Sequence, residues 1–425
     1  MSDSPSKVRL AIIGAGSRGT GYASFAEAHP DRVAVTAVAE PNPRRREALV
    51  ERFGIPAENV FTHWEDLAAC EDKVADAVVV ATQDRQHRAP AIALAQGGYH
   101  MLLEKPMAPT EEDCRAIVAA VKEAGILFAV AHVMRYTRYT TALKQLIDSG
   151  RIGDVITVQH LEPVGFWHQA HSFVRGNWHS AEQSTFMLMA KSCHDLDWLR
   201  YIVGSRFRAV SSFGRLSHFT PGNRPAGAAE RCLDCAVEAD CAYSASRFYL
   251  GHLQKGNTGW PVDVITGDPN PTEESVREAL RTGPYGRCVY SGDNDVVDHQ
   301  VVSMDFENGA TASFTMTAFN EAGPRRTGIF GTRGEIRADG VKLEIFDFLT
   351  GKTETIDTDA QADVEGVLQG HGGGDYGLMR AFIDAVAAGD GSPILSGPDA
   401  TLESHLAVFA AESARDSDQV ARLIP

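Results

Sequence analysis

The chain has 425 residues, room for two domains and an insert at roughly 150 residues per domain, and its 44% apolar and 23% charged content is that of a folded protein rather than a disordered one. A formal charge of −16 without any long Lys/Arg run argues against nucleic acid, and it repels anionic ligands at long range. No run of 18 apolar residues occurs, and the polar start MSDSPSKVRL is not a secretory signal, so a soluble cytoplasmic protein with no membrane partner is expected.

Short apolar segments open the chain: Val8–Gly14, Val33–Glu40, Asp76–Thr82, His100–Leu103 and Leu127–Met134. Segments with helical spacing lie between them, at Pro43–Phe53, Gln86–Gln96 and Thr110–Glu123, the last with Thr110 as N-cap and Asp113 three positions on. Near-continuous apolar strands alternating with helices predict a parallel sheet covered on both faces, an α/β dinucleotide-binding unit over residues 1–134.

From 135 to 425 the pattern changes. Tyr139–Ser149 predicts a helix stopping at Gly150, and Val155–Gln159 a strand. Val296–Phe306 and Thr311–Ala318 predict a hairpin closed at Asn308-Gly309, followed by strands at Gly328–Gly331 and Gly334–Ala338. Strands without intervening helices predict an α+β domain with a mostly antiparallel sheet. Residues from about 216 to 290 are Gly- and Pro-rich with weak periodicity and read as an irregular insert. Leu378–Ala387 and Leu402–Ala414 read as closing helices.

Gly14-Ala15-Gly16-Ser17-Arg18-Gly19 follows the first strand and opens a helical segment, the order in which a pyrophosphate is held at a helix N-terminus. Glu40 ends the second strand, where a carboxylate accepts from a ribose diol and repels a 2′-phosphate, which favours NAD over NADP. Arg44, Arg45 and Arg46 weaken that preference, since one of them could reach a 2′-phosphate. Gly14, Gly16, Ser17, Arg18, Gly19 and Glu40 are therefore cofactor-binding candidates. Thr82, Gln83 and His87, and the pair Glu104 and Lys105, join them because they follow C-terminal strand ends, where ligands bind in open α/β sheets. Lys105 could donate to a substrate hydroxyl and shuttle its proton, or it could be a solvated lysine paired with Glu104.

The glycine turn, the loop after Val78–Thr82 and Glu104-Lys105-Pro106 resemble the glucose–fructose oxidoreductase and inositol dehydrogenase family (Gfo/Idh/MocA). So do His132, Arg135-Tyr136, residues 149–155, Cys193-His194-Asp195-Leu196-Asp197 and Gly331-Thr332-Arg333-Gly334-Glu335. The resemblance implies a Rossmann domain, a C-terminal α/β domain whose open sheet forms homo-oligomer contacts, and oxidation of a ring carbon of a sugar or cyclitol with a nicotinamide cofactor. It implies that Lys105 and His194 are catalytic. The family often has Asp four positions before that histidine; here the position is Ala190, followed by Lys191. The Lys–Asp–His relay thus lacks its middle member, leaving Lys105 and His194 to act alone or with a partner such as Tyr136 or His371.

Residues 166–194 crowd aromatic and basic side chains into one stretch, and Trp167, His168, His171, Arg175, Trp178 and Lys191 are substrate-binding candidates, with Arg135 and His371 from neighbouring motifs. Trp faces stack on sugars; Arg and Lys donate to carboxylate, sulfonate or phosphate oxygens. His168 and His171 could share a helical face, but a metal would need a third ligand. The plainer alternative is a loop packed against the first domain with solvated basic residues.

Cys232, Cys235 and Cys241 form C-x2-C-x5-C inside the insert, and Cys288 follows. Four thiols in a loop-rich segment are a set for structural zinc, with free thiols or labile disulfides as alternatives. The reading is an NAD-dependent enzyme oxidising a ring carbinol of a sugar, cyclitol or glycoside. Its rival, implied by the resemblance, is a redox-neutral NAD-dependent glycoside hydrolase acting on an anionic glycoside such as a sulfoquinovoside. A non-catalytic NAD-binding regulator is the alternative of another class.

Overall fold

The computed structural model describes residues 7–268, 270–359 and 370–423. Strands β1 (Val8–Ile13), β2 (Val33–Ala39), β3 (Val60–Phe61), β4 (Ala77–Val80), β5 (His100–Leu103) and β6 (Phe128–Val130) form a parallel sheet in the order β3-β2-β1-β4-β5-β6. The order reverses at β1, so the crevice beyond the carboxyl ends of β1 and β4 is the topological switch point. All four residues of β4 are buried, as a strand covered on both faces requires. The helix Glu111–Ala124 begins where Thr110 Oγ1 accepts the Asp113 amide, and it ends at Gly125 with φ +62°. The helix Gly374–Ala388 returns to this sheet, with Leu378, Phe382 and Ile383 packed among Leu10, Ile12 and Val79.

The second sheet has nine strands. They are β7 (Val155–Pro163), β8 (Phe207–Arg215), β9 (His299–Phe306), β10 (Thr311–Thr317), β11 (Arg326–Gly331), β12 (Gly334–Ala338), β13 (Lys342–Asp347), β14 (Lys352–Asp357) and β15 (Ala421–Arg422). The order is β14-β13-β12-β11-β7-β10-β9-β8-β15; β7 and β10 pair in parallel and the other ladders are antiparallel. Val302, Met304, Phe314 and Met316 face inward, against Leu196, Leu199 and Ile202 of helix Cys193–Val203 and Ala407, Val408 and Ala411 of helix Pro398–Ser417. Truncating one such side chain, as in Phe314→Ala, costs about 3–5 kcal/mol. On the opposite face Leu161, Thr315, Val301 and Phe213 stand in register across four strands, and Val301 and Phe213 are 40% and 65% exposed.

The insert corrects the sequence reading. Residues 216–244 carry only short turns, but the rest is not irregular: helices Ala245–Gln254, Val262–Thr266 and Glu273–Thr282 build a small core of Ala245, Tyr249, Leu250, Val262, Val276 and Leu280. Two of the glycines that weakened the periodicity are helix C-caps, Gly267 with φ +67° and Gly283.

Candidate active site

Gly14 turns the chain out of β1 with φ +90°, and a Cβ there would lie 2.7 Å from the Ala81 carbonyl oxygen. A Cβ on Gly19 would come 2.0 Å from the Gly14 oxygen, so these two glycines close the turn against β4 and the helix. Gly16, at the N-cap of Ser17–Ala23, instead faces open space, and no side chain caps that helix. The first-turn amides are thus unclaimed by a cap beside a cradle that a Cβ would fill, which fits a pyrophosphate. Glu40 is buried at the end of β2, and its carboxylate accepts the Ala15 amide at 2.7 Å and the Asn42 amide at 2.8 Å. Arg46 donates to the Glu40 and Pro41 carbonyls, while Arg44 and Arg45 stay exposed. Ser17 and Gln83 are exposed and Thr82 half-buried around this crevice.

Arg18 is bound within the fold. It donates to Glu104 at 2.6 Å, to Asp375 at 2.5 Å and to the Tyr22 hydroxyl. Burial pushes the Glu104 carboxyl up, but the Arg18 and Lys105 charges and the hydrogen bonds from Arg18 and Tyr22 bring it below its ordinary value. The other Glu104 oxygen accepts the Lys105 amide at 2.7 Å, fixing the backbone on which Lys105 stands. His87 is fully buried, its ring nitrogens 2.8 Å from the Pro106 oxygen and 3.2 Å from the Thr82 oxygen. It fastens the loop after β4 to the loop after β5.

Lys105 reaches across the seam between the two sheets' domains, where its Nζ donates to the Ala190 carbonyl oxygen at 2.9 Å. Ala190 ends the turn Met187–Ala190, and His194 stands in the first turn of Cys193–Val203. The His194 ring lies edge-on to His132 at 5.6 Å, and His132 edge-on to His405 at 5.5 Å. Burial, aided by the Arg135 and Lys105 charges, lowers His132 to about 4, although Asp197 opposes the shift. Burial lowers His405 to about 3. His168 is pushed well below its ordinary value by burial and then by Lys191, His171 and Lys105, which places these groups in one electrostatic neighbourhood. Lys105, His168 and Lys191 therefore gather at the seam, with His194 beside them through its contact with His132.

A network missed by the sequence reading lies behind them. Lys191 pairs with Glu162 at 3.0 Å, Glu162 with Arg325 at 3.0 Å, Arg325 with Asp195 at 2.5 Å, and Asp195 with His160 at 3.0 Å. Burial pushes the Asp195 carboxyl up, but Arg325 and His160 more than reverse it and hold it far below the carboxylate range. The signal was present in β7: Val158, His160 and Glu162 share the inward parity of the strand, so a carboxylate on that face demands a cation.

The wall of the site is aromatic. Trp167 stacks on His168 at 5.4 Å and Phe248 at 5.3 Å, and meets Trp260 at 5.5 Å. His171 is tied to the Tyr249 hydroxyl at 2.6 Å, stacks on Tyr285 and lies edge-on to Trp260. Trp260 and Phe248 come from the insert and were not singled out from the sequence. Trp178 donates to Asp84 at 3.0 Å and so pins the loop after β4.

Several candidates are engaged elsewhere. Arg135 is buried in a bidentate pair with Asp197, at 2.7 Å for both contacts. The Tyr136 hydroxyl is held by Ser396 Oγ and the Leu395 and Ser396 amides. Both fasten the turn Val133–Tyr136 to the start of the last long helix, which removes them as free substrate or proton-transfer groups. Arg175 points into the insert, donating to the Arg287 and Tyr243 carbonyls and to Cys232 Sγ. His371 falls in the turn Gly370–Gly373, and its side chain lies outside the described residues. Cys232, Cys235, Cys241 and Cys288 line one cavity. Among the described residues no three His, Cys, Asp or Glu side chains are grouped to hold a metal ion as they stand.

Residues 8–132 match the profile described as oxidoreductase family, NAD-binding Rossmann fold, and residues 144–421 match that of the oxidoreductase family C-terminal alpha/beta domain. Among curated relatives, the 2,7-anhydro-N-acetylneuraminate hydratase of Escherichia coli is 28% identical over 217 residues, 51% of this chain and 55% of the relative. The levoglucosan dehydrogenase of Pseudarthrobacter phenanthrenivorans is 30% identical over 175 residues, 41% of this chain and 44% of the relative. The chain thus spans about half the length of these curated relatives. A solved levoglucosan dehydrogenase in complex with NADH superposes with a TM-score of 0.72 at 20% identity, covering 99% of this chain and 100% of that one. An oxidoreductase from Agrobacterium radiobacter in complex with NAD+, L-tartaric acid and magnesium gives 0.70 at 17% identity over 98% of each chain. These two likenesses carry the fold, and the matched profiles carry the family: the chain belongs to the Gfo/Idh/MocA oxidoreductases and has their NAD-binding Rossmann domain.

Proposed function

We propose that the protein oxidises a ring carbinol of a sugar, cyclitol or glycoside with NAD+. The observation that carries this reading is Lys105 Nζ held at the seam by the Ala190 carbonyl, beside His168, Lys191 and His194 and beyond the carboxyl ends of β4 and β5. NAD, when bound, supplies the hydride acceptor. Gly14, Gly16, Ser17 and Gly19 hold its pyrophosphate, Glu40 its ribose, and Thr82 and Gln83 flank it. Both Glu40 oxygens are aimed by backbone amides and Arg46 is turned to carbonyls, which supports NAD over NADP. Lys105 has three N–H donors, of which the Ala190 carbonyl takes one. As the ammonium, its other two orient the reacting hydroxyl while His194 receives the proton; as the free amine, with two N–H donors and a lone pair, Lys105 receives the proton itself. Trp167 and Trp260 offer faces for the ring. Because Arg175 is turned into the insert and Lys191 is paired with Glu162, a neutral polyol fits better than a sulfonate or carboxylate.

The test is NADH formation with NAD+ and a panel of sugars, cyclitols and glycosides. Substrate-dependent NADH that disappears in Lys105→Ala and His194→Ala supports the reading. A sugar response unchanged in both variants sinks it in favour of a non-catalytic NAD-binding regulator. The E. coli hydratase relative and the absence of a carboxylate at Ala190 favour one second reading, a redox-neutral course in which the oxidised ring eliminates a substituent, adds water and is reduced again. Aglycone release far exceeding the NAD+ supplied, with no NADH accumulating, selects it. The stripe Leu161, Thr315, Val301 and Phe213 supports a homo-oligomer through the nine-stranded sheet, and Phe213→Glu should then reduce the mass in light scattering.

A further inference from the structure

The insert holds a second cluster of side chains, which the proposed oxidation does not use. Cys232 and Cys235 flank one short turn, and Cys241 follows the next. Cys288 is brought back to them because residues 231 and 287 form an antiparallel bridge and the Cys288 amide donates to the Glu230 oxygen at 2.8 Å. All four thiols line a single cavity of about 300 Å3. Two donors already converge on one sulfur: Arg175 Nη2 and the Ala245 amide both lie 3.5 Å from Cys232 Sγ. Sulfur accepts hydrogen bonds weakly as a thiol and much better as a thiolate.

Arg175 is the second observation. Its side chain is only 6% exposed, and its other acceptors are the carbonyls of Arg287 and Tyr243. Among the described residues no carboxylate pairs with it. A buried guanidinium without a counter-charge is costly, and carbonyl dipoles do not neutralise it. Something anionic belongs beside Arg175; Glu238 and Asp240 also line the cavity, but among the described residues neither pairs with it, and the side chain that Arg175 does touch is the Cys232 thiol.

We propose that Cys232, Cys235, Cys241 and Cys288 ligate one thiophilic metal centre, with Arg175 as its charge-compensating neighbour. Binding of zinc would release four thiol protons, Zn2+ + 4 RSH giving [Zn(SR)4]2− + 4 H+, and the resulting dianion supplies the charge that Arg175 lacks. A preassembled four-iron, four-sulfide cluster bound by the same thiolates would carry the same net charge. As they stand, the thiols are not grouped around one ion. A zinc ion must therefore draw them to about 2.3 Å, whereas a cluster fills more of the cavity. The centre would close the chain from 232 to 288 and fix the insert, whose Phe248 and Trp260 back the aromatic wall at Trp167.

The experiment is metal and acid-labile sulfide analysis of the full chain, purified without chelators and again after anaerobic reconstitution with Zn2+, or with iron and sulfide. About one zinc, or about four irons with matching sulfide, per chain is expected, and the ratio tells which. Cys235→Ser and Cys241→Ser should each lose the metal, while Cys70→Ser should keep it. Arg175→Gln should weaken retention against a chelator about 10–100-fold. Co2+ bound to the wild type should show thiolate charge-transfer absorption that weakens in each cysteine variant. Fewer than about 0.1 metal per chain after both reconstitutions, in protein that melts cooperatively, overturns the proposal, as does metal retained unchanged in both cysteine variants.

Discussion

The Lys105 ammonium donates to the carbonyl oxygen of Ala190 at 2.9 Å, at the position where related enzymes often place an aspartate. A neutral acceptor fixes the direction of the side chain but stabilises its charge less than a carboxylate would. Lys105→Met should lower kcat/KM by about 10²–10⁴-fold, the usual range for a general acid–base group. Ala190→Asp should raise the Lys105 pKa, since a nearby anion favours the ammonium. The limb of the kcat/KM profile that Lys105 sets, basic where it works as the ammonium and acidic where it works as the free amine, should then move to higher pH by about one unit or more. Steady-state pH profiles of wild type and Ala190→Asp check this, and an unmoved limb would show that Lys105 is not the titrating group.

Glu40 is held by two backbone amides, so its carboxylate is pre-aimed before any ribose arrives. Glu40→Gln keeps the shape and removes the charge. It should weaken NAD+ binding by about 1.5–3 kcal/mol, the worth of hydrogen bonds to a charged group, and shift the NADP+/NAD+ preference towards NADP+. Calorimetric Kd values for both cofactors test this. A melting temperature without cofactor close to wild type would separate lost recognition from lost folding.

The first sheet was readable because β4 is apolar throughout and β1, β2 and β5 each break the apolar run only once, at Arg9, Thr36 and His100, a pattern that burial on both faces calls for. The glycine turn was readable because Gly14 and Gly19 are required by close backbone approaches. Strand β14 was not, because its residues Lys352–Asp357 are polar and lie at a sheet edge, where alternation carries no apolar signal. At the site, residue type indicated chemistry without indicating direction. Arg175 and Lys191 looked alike in sequence, yet one donates to the insert's Arg287 and Tyr243 carbonyls and the other meets Glu162, because pairing is decided by the tertiary fold. Trp260 escaped for the same reason: its partners His168 and His171 lie about ninety residues earlier.

Arg325 stands between two buried carboxylates, Glu162 and Asp195. Arg325→Met leaves them without their shared cation and should destabilise the fold by about 3–5 kcal/mol. In the wild type the depressed Asp195 carboxyl contributes stability that is fully present above its unfolded pKa of about 4 and is lost only in stronger acid. In the variant only His160 still opposes burial, so Asp195 rises above its wild-type value and the folded state takes up its proton at higher pH than the wild type does. The stability gap between the two proteins should therefore be widest near neutrality and narrow as pH falls. Urea unfolding at pH 7 and pH 5 measures it, and a gap independent of pH would mean that the network does not govern Asp195.

His132 and His405 are buried side by side, with pKa values lowered to about 4 and about 3. Unfolded histidine titrates near about 6.5. Below that pH the unfolded chain binds protons that these two rings refuse, so their contribution is complete above about pH 6.5 and is lost as pH falls towards 4. Each group adds a slope of up to about 1.4 kcal/mol per pH unit within that window. Depressed carboxylates such as Asp195 act only below about pH 4, so the two sets separate on the pH axis. His132→Gln, isosteric enough to fill its site and without a titrating proton, should lose some stability at pH 7 yet flatten the decline between pH 6.5 and 4.5. Denaturant unfolding across that range provides the slopes, and a variant slope as steep as wild type would remove His132 from the account.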